Sequence, residues 1–297
     1  MNDDGGTGPH GRIWEIDEHG RVSVVVDASR LKASTGFDIA PPGFGDHTGK
    51  IFTLSQQDFY GPGVRRNNLI QVIDPASDAP ATTFCELPTH ETVGNGIAGA
   101  WLEARFGPPD TAFAGRLFSV TILNNTVYQT TADGACAPFV TFDRQVWGIA
   151  FMPDGSPMLA TLKGGGPLIS GPGSVASDAN MGAIVSVGPD GAIDPTPVLA
   201  TAHRPTAVEV ASADFGAYAG QIFFTDWESD SPVPLDVPLQ GESTIYRMAP
   251  DGIAHLVASG FLRPAGIAFI DGLIWVSNIN RDRADMPDGS IVKIEVR

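Results

Sequence analysis

Residues 207–224 read AVEVASADFGAYAGQIFF, and this stretch decides the fold. Alternating apolar residues lead into a Phe-Gly loop, and a Gly then opens a second apolar run, a pattern that predicts two β-strands. Residues 36–52, GFDIAPPGFGDHTGKIF, repeat it, and Gly96-Ile-Ala leads to Gly115-Arg-Leu-Phe in the same way. Gly148-Ile-Ala-Phe and Gly266-Ile-Ala-Phe begin two more copies, so five repeats start 52 to 60 residues apart.

Two further strands complete each repeat. Predicted third strands include Ala183–Val187 and Thr244–Met248, and predicted fourth strands include Arg21–Asp27. Asp-Gly pairs such as Asp133-Gly134 separate third from fourth strands, which is typical of a tight hairpin turn. Four antiparallel strands repeated in series predict an all-β β-propeller with five blades by strand count. We expect the C-terminal strands to close the propeller by pairing with Arg21–Asp27, and residues 11–16 to form a spare edge strand.

Composition narrows the function classes. The chain has 297 residues, a net charge of −16 and only 18 Lys and Arg, which argues against a nucleic-acid partner. No apolar run approaches the length of a membrane span. Residues 1–10 are predicted to be a flexible tail and residues 11–297 a single domain. No secretory signal is visible, but a mature secreted or periplasmic protein with an added Met would look the same, so the compartment stays open.

The two cysteines, Cys85 and Cys136, cannot build a zinc site on their own. Cys85 falls in a predicted fourth strand and Cys136 follows the hairpin turn of the next repeat. Neighbouring blades could bring them within reach of a disulfide. Outer strands diverge with radius, however, and we therefore expect two separate thiols.

The segment Leu262-Arg-Pro-Ala-Gly-Ile-Ala-Phe-Ile-Asp-Gly-Leu-Ile-Trp-Val-Ser-Asn resembles the NHL-repeat propellers. It is also similar to the SMP-30/gluconolactonase-type and quinoprotein sugar dehydrogenase-like propellers. This resemblance covers residues 11–297 and implies six blades. The gluconolactonase-type family further implies a divalent metal at the channel mouth, held by a Glu, an Asn and an Asp. Asn95 and Asp226 match the Asn and the Asp, whereas the early Glu has no counterpart.

Two acids stand out in the predicted first strands. Asp38 and Glu209 occupy a repeat position where Ala98, Ala150 and Ala268 stand in the other copies. Two carboxylates facing one channel could bind Ca²⁺, which prefers oxygen ligands. The alternative is that each acid satisfies a neighbouring backbone N–H or an Arg. The predicted metal ligands are Asp38, Asn95, Glu209 and Asp226.

Other candidates lie in predicted loops at the same end of the blades. Either His90 or His203 could act as a general base, since the pKa of a histidine lies near neutrality. Trp227 and Glu228 follow Asp226 in a segment dense in oxygen ligands. The assignments are His203 and Glu228 for catalysis and, for substrate binding, His90, Arg204, Trp227 and Asn278. An ordinary solvated loop remains the alternative for each of them.

The leading hypothesis is a metal-assisted, lactonase-like hydrolase that acts on a small polar substrate, with Ca²⁺ as the expected metal. A non-catalytic propeller that binds a ligand or a protein through long loops is the alternative. A quinoprotein-like oxidoreductase ranks third, because no cofactor-binding set is apparent. The sequence leaves the substrate and the oligomeric state open.

Overall fold

The computed structural model describes residues 12–17, 19–31, 34–56, 68–87, 101–121, 125–162, 182–200, 205–226, 243–249, 252–261, 264–280 and 288–295. Their regular structure is β, apart from three short 3-10 helices at Ala28–Arg30, Gly45–His47 and Gly216–Tyr218. The chain forms two compact units, Met1–Phe142 and Asp143–Arg297. No helix in these ranges is long and apolar enough to cross a membrane. The predicted flexible tail lies outside them, and the single domain stays a prediction.

The first unit contains a hairpin and two four-stranded sheets. The hairpin consists of β1 (Ile13–Ile16) and β2 (Val22–Val26). The first blade has the order β3 (Ser34–Ile39), β4 (Ile51–Gln56), β5 (Asn68–Ile73) and β6 (Thr82–Leu87). The second blade has the order β7 (Trp101–Phe106), β8 (Arg116–Thr121), β9 (Thr126–Thr131) and β10 (Cys136–Thr141).

The second unit contains three sheets. The third blade comprises β11 (Val146–Phe151), β12 (Met158–Leu162), β13 (Ala183–Val187) and β14 (Leu199–Ala200). The fourth comprises β15 (Pro205–Val210), β16 (Ile222–Asp226), β17 (Ser243–Met248) and β18 (Ala254–Phe261). The fifth comprises β19 (Pro264–Ile270), β20 (Leu273–Asn280) and β21 (Asp288–Ile294). These five antiparallel sheets confirm the all-β propeller with five blades, and no sixth complete blade occurs among the described residues.

The N-terminal strands pair differently from the prediction. The ladder partner of β2 is β1, and the C-terminal sheet has three strands in the described part of the chain. Local turn chemistry explains the hairpin. The Asp17 carboxylate accepts the backbone N–H groups of His19 and Arg21 at 2.9 and 2.8 Å, and Gly20 has a φ of +77°. The tight turn therefore brings the two adjacent strands together.

Every blade has a register shift near the start of its first strand. The shifts lie between Ser34 and Phe37, Trp101 and Ala104, Val146 and Gly148, Pro205 and Val208, and Pro264 and Gly266. In three blades a second-strand threonine binds the irregular backbone. The Thr53 hydroxyl donates to the Gly36 carbonyl at 3.2 Å, Gly148 N–H donates to Thr161 at 2.8 Å, and Ala207 N–H donates to Thr225 at 2.9 Å. Hydroxyl side chains thus satisfy backbone groups that the bulge removes from the ladder.

The prediction of two separate thiols is wrong. Cys85 on β6 and Cys136 at the start of β10 form a disulfide with a Cα–Cα distance of 6.5 Å. Both cysteines pack in the core between the first two blades, together with Phe44, Phe52 and Phe84. The two fourth strands, β6 and β10, lie close together at the start of β10. The separation expected between outer strands of neighbouring blades is therefore absent at this point.

Removing the disulfide should destabilise the first unit. With Cys85→Ser and Cys136→Ser, we expect the free energy of unfolding to fall by about 4 kcal/mol, because the unfolded chain regains the entropy of a long closed loop. Urea denaturation of the double variant and of reduced wild type checks this, and the two should agree. Titration of unreduced, denatured wild type should find no thiols. A titration that finds two would show that the disulfide does not form.

Candidate functional site

Four of the ten predicted site residues fall in the described part of the chain. They are Asp38, Glu209, Asp226 and Asn278. The remaining six lie outside the described residues, and their roles stay predictions: His90, Asn95, His203, Arg204, Trp227 and Glu228. The site therefore has to be built from the four described residues and the strands that carry them.

Asp38 and Glu209 do occupy one repeat position. Asp38 pairs with Phe52, and Glu209 pairs with Phe223. In the second blade, Arg105 pairs with Phe118 in the same way. Arg105 therefore takes the position that the sequence analysis gave to Ala98, which lies outside the described residues. Apolar alternation, the signal of the other first strands, does not reveal Arg105, because Glu103 and Arg105 make one side of β7 polar.

The Asp38 carboxylate bridges two neighbouring first strands. Its Oδ2 accepts the backbone N–H of Phe106 on β7 at 2.7 Å, and its Oδ1 accepts the N–H of Ile39 at 2.8 Å. Burial raises the pKa of Asp38, although both N–H groups and the nearby Arg105 oppose that shift. Arg105 also forms an ion pair with Glu103, with 2.8 Å between Nε and Oε1. Asp38 thus does what the alternative interpretation expected: it satisfies a backbone N–H in the next blade.

Glu209 and Asp226 are poorly placed to share one ion. Glu209 on β15 lies opposite Phe223 on β16. Asp226 is three residues beyond Phe223 on β16. A rise of about 3.3 Å per residue separates the two positions by about 10 Å, and the odd spacing directs their side chains to opposite faces. Within the described ranges, no three His, Cys, Asp or Glu side chains come together as a metal site. The four predicted ligands therefore do not form a single described cluster.

Polar side chains also stand late in the second strands of the fourth and fifth blades: Asp226 is the last residue of β16, and Asn278 lies two residues before the end of β20. Asp226 pairs with Pro205, and Asn278 pairs with Pro264, so the two occupy the same repeat position. Only 1% of Asp226 and 8% of Asn278 is exposed. Both were predicted as site residues from the sequence, and in the structure both are buried.

Thr244 joins this group. It lies directly opposite Asp226 on β17, which puts both side chains on one face of the sheet. Thr244 is 5% exposed, and its buried Oγ1 has no hydrogen-bond partner among the described residues. Thr244 was not predicted as a site residue, because it begins the predicted strand Thr244–Met248. The sequence signal that could have identified Thr244 is its polar side chain at the predicted ladder position opposite an acid that ends a strand.

Asp226, Thr244 and Asn278, called the strand-end oxygen group below, offer a carboxylate, a hydroxyl and an amide. Oxygen donors of these types suit a hard cation such as Ca²⁺ or the hydroxyl groups of a polar ligand. The residues fit a divalent cation in chemistry, and the buried Thr244 hydroxyl has no hydrogen-bond partner among the described residues. The strand-end oxygen group is therefore the best candidate site in the described residues.

Comparison with known proteins places the fold. No family model and no curated protein matches the sequence. A solved putative oxidoreductase (glucose dehydrogenase) from Thermus thermophilus is 14% identical, with 95% of this chain and 90% of that chain covered at a TM-score of 0.60. A putative gluconolactonase is 12% identical, with 90% of this chain and 78% of that chain covered at a TM-score of 0.52. A catalytically inactive virginiamycin B lyase from Staphylococcus aureus, solved with quinupristin, is 18% identical. The match covers 90% of this chain and 70% of that chain at a TM-score of 0.50.

At these identities the likeness concerns architecture and not chemistry. The neighbours are gluconolactonase-like, glucose dehydrogenase and virginiamycin B lyase β-propellers. This chain has the same blade-by-blade construction along nearly its whole length.

Replacing Asp38 should weaken the fold. In Asp38→Ala the Phe106 N–H loses its acceptor, and we expect the free energy of unfolding to fall by about 1–3 kcal/mol. Urea denaturation measures the loss. The exposed Asp214 provides a control, since Asp214→Ala should change stability by no more than about 0.5 kcal/mol. Equal stabilities for Asp38→Ala and wild type would show that the cross-blade hydrogen bond contributes nothing.

The raised pKa of Asp38 also predicts a pH dependence. Its contribution to stability is fully present below the ordinary value of 3.8 and is lost as pH rises through the raised value of the folded state. The stability of wild type relative to Asp38→Asn should therefore decrease from pH 4 towards neutrality. Denaturation of both proteins across this range checks the sign, and a difference that grows with pH would contradict it.

Proposed function

We propose that this chain is a metal-assisted hydrolase of the lactonase kind, acting on a small polar substrate where β16 and β20 end. The observation that carries the proposal is the nearly complete burial of Asp226 at a strand end. Burying a carboxylate is costly unless a charged or hydrogen-bonding partner offsets the loss of water. A buried carboxylate at the end of a strand is therefore a candidate ligand for a hard cation.

The strand-end oxygen group would supply the protein ligands to the metal. Asp226 would contribute the negative charge, and Thr244 and Asn278 would contribute neutral oxygens. A divalent ion bound there supplies Lewis acidity, which polarises a carbonyl and lowers the pKa of water. The acidic character of the chain, at −16, favours a cation over an anion at this site.

Chain continuity supports a catalytic constellation beside Asp226. His203 and Arg204 directly precede Pro205, the ladder partner of Asp226. Trp227 and Glu228 directly follow Asp226 in the sequence. In this proposal His203 or Glu228 holds and transfers the proton of the attacking water, while Arg204, Trp227 and the predicted His90 bind the substrate. Asp38 and Glu209 are not needed as ligands.

The fold comparisons agree with this proposal at the level of architecture. One solved neighbour is a putative gluconolactonase, and several are glucose dehydrogenases. An assay should therefore include both lactone hydrolysis and quinone-dependent sugar oxidation. These two reactions separate the leading hypothesis from the oxidoreductase.

The Asp226→Asn variant tests the assignment. It keeps the size of the side chain but removes the charge, so we expect at least a hundredfold loss of lactone hydrolysis and the loss of metal-dependent thermal stabilisation. Both are measured on chelator-treated protein to which Ca²⁺, Zn²⁺ or Mn²⁺ is returned. Circular dichroism should show an intact β fold. Asp214→Asn, which neutralises an exposed acid in the same unit, should behave like wild type.

Two outcomes would overturn the proposal. An intact wild-type protein that neither binds these metals nor hydrolyses any lactone in the panel would favour the non-catalytic ligand-binding propeller. Full activity in Asp226→Asn would move the site away from the end of β16.

A further inference from the structure

In every blade one residue of the second strand faces the bulge of the first strand, directly before the residue of the outermost ladder pair. From the first blade to the fifth, this residue is Leu54, Val120, Thr161, Thr225 and Ser277. The fold does not need a hydroxyl at this position, because Leu54 and Val120 are fully buried apolar residues. The hydroxyls at this position therefore belong to the second unit, which also carries Asp226 and Asn278.

Thr161 differs from the other two hydroxyl residues, because the next residue in its own blade is the apolar Leu162. Its hydroxyl accepts the Gly148 N–H at 2.8 Å and lies 2.6 Å from the Thr206 carbonyl of the fourth blade. A hydroxyl has one proton to donate, and the Gly148 carbonyl is further away, at 3.3 Å. The buried Thr161 hydroxyl thus donates its hydrogen bond to the next blade.

This bond ends on the strand that pairs with the end of β16. Thr206 follows Pro205, the ladder partner of Asp226. The Thr206 hydroxyl shares a hydrogen bond of 2.6 Å with the hydroxyl of Thr225, the residue before Asp226. Thr206 and Thr225 are buried, as Thr161 is. These contacts join the third blade to the backbone that leads into Asp226.

The ladder between β15 and β16 offers few donors at this end. Pro205 has no backbone N–H, so it brings no donor to its pair with Asp226. The bulge that follows takes two residues out of regular pairing, and the N–H of the second, Ala207, goes to the Thr225 hydroxyl at 2.9 Å. Side-chain hydroxyls therefore hold the two strands together where the backbone ladder is irregular.

We infer that Thr161 is a positioning residue for the metal site and acts on Asp226 through Thr206 and Thr225. It keeps the starts of β15 and the end of β16 in one arrangement without touching the metal or the substrate. The inference rests on the proposed function, because the position of Asp226 matters in this way only if Asp226 is a ligand. Removing a group that orients a metal ligand typically costs about 10- to 100-fold in metal affinity.

The Thr161→Val variant tests this role, because valine keeps the shape of the side chain and removes the hydroxyl. Mn²⁺ is titrated into the chelator-treated full chain, and its dissociation constant is measured by isothermal titration calorimetry. We expect Thr161→Val to weaken Mn²⁺ binding by about 10-fold or more. Thr161→Ser keeps a hydroxyl and should bind Mn²⁺ nearly as tightly as wild type.

Thr53→Val provides the matched control. Thr53 is a fully buried second-strand threonine, and its hydroxyl donates to the Gly36 carbonyl of its own blade at 3.2 Å. Thr53→Val should lower the melting midpoint about as much as Thr161→Val does, and it should leave the Mn²⁺ affinity unchanged. If Thr161→Val does not fold, Thr206→Val takes its place, since it removes the contact with Thr225, and the same weakening is expected.

The outcomes separate this inference from the proposed function. Wild type that binds no Mn²⁺ contradicts the proposed metal site, and the role of Thr161 with it. Wild type that binds Mn²⁺, together with a folded Thr161→Val that binds it equally tightly, overturns the role of Thr161 alone. Equal weakening in Thr161→Val and Thr161→Ser, or in Thr161→Val and Thr53→Val, also overturns that role, because the effect would not follow the hydroxyl that joins the blades.

Discussion

Hydrogen bonds from one blade to the first strand of the next blade are the constraint on which the other features depend. The first strand of each sheet is an edge strand, so one row of its backbone groups has no ladder partner and must be satisfied in another way. Asp38 meets this need by accepting the Phe106 N–H of the next blade at 2.7 Å. In the second unit, the Thr161 hydroxyl donates to the Thr206 carbonyl of the next blade at 2.6 Å. These bonds fix β3 against β7 and β12 against β15.

The position of the candidate site depends on these hydrogen bonds between blades. The Thr161 hydroxyl accepts the Gly148 N–H at the bulge of its own blade and donates to the carbonyl of Thr206. The hydroxyl of Thr206 in turn shares a hydrogen bond with the hydroxyl of Thr225. Asp226 follows Thr225 directly. Thr161, Thr206 and Thr225 thus hold the backbone that leads into Asp226, whose own side chain points to the opposite face of the strand from Thr225. Such preorganisation is what a binding or catalytic group requires.

Repetition made most of the fold predictable. Strand Ala183–Val187 was predicted to the residue, and Gly134, Gly191 and Gly252 all have a positive φ in the predicted turns. The first strand of the second blade was misplaced because Glu103 and Arg105 satisfy each other as an ion pair, and a polar pair hides the apolar alternation. The Cys85–Cys136 disulfide was missed because sequence patterns carry no distance between the outer strands of two blades.

The candidate site was predictable only in part. Asp226 and Asn278 were identified as residues at strand ends, but their burial depends on the neighbouring strands and could not be inferred from composition. Asp38 looked like a ligand because alanine was expected at its repeat position in three other copies. Its role follows from the backbone of β7, which a sequence does not reveal. Thr244 became visible only through its register opposite Asp226.

An anomalous difference map from crystals grown with Mn²⁺ tests the central claim most directly. The account predicts a peak at the strand-end oxygen group, in the first coordination shell of the Asp226 carboxylate and of at least one oxygen of Thr244 or Asn278, a set of hard oxygen ligands. An intact site without a peak, in which protein N–H groups alone surround the Asp226 carboxylate, would contradict the account and make Asp226 a structural acid like Asp38.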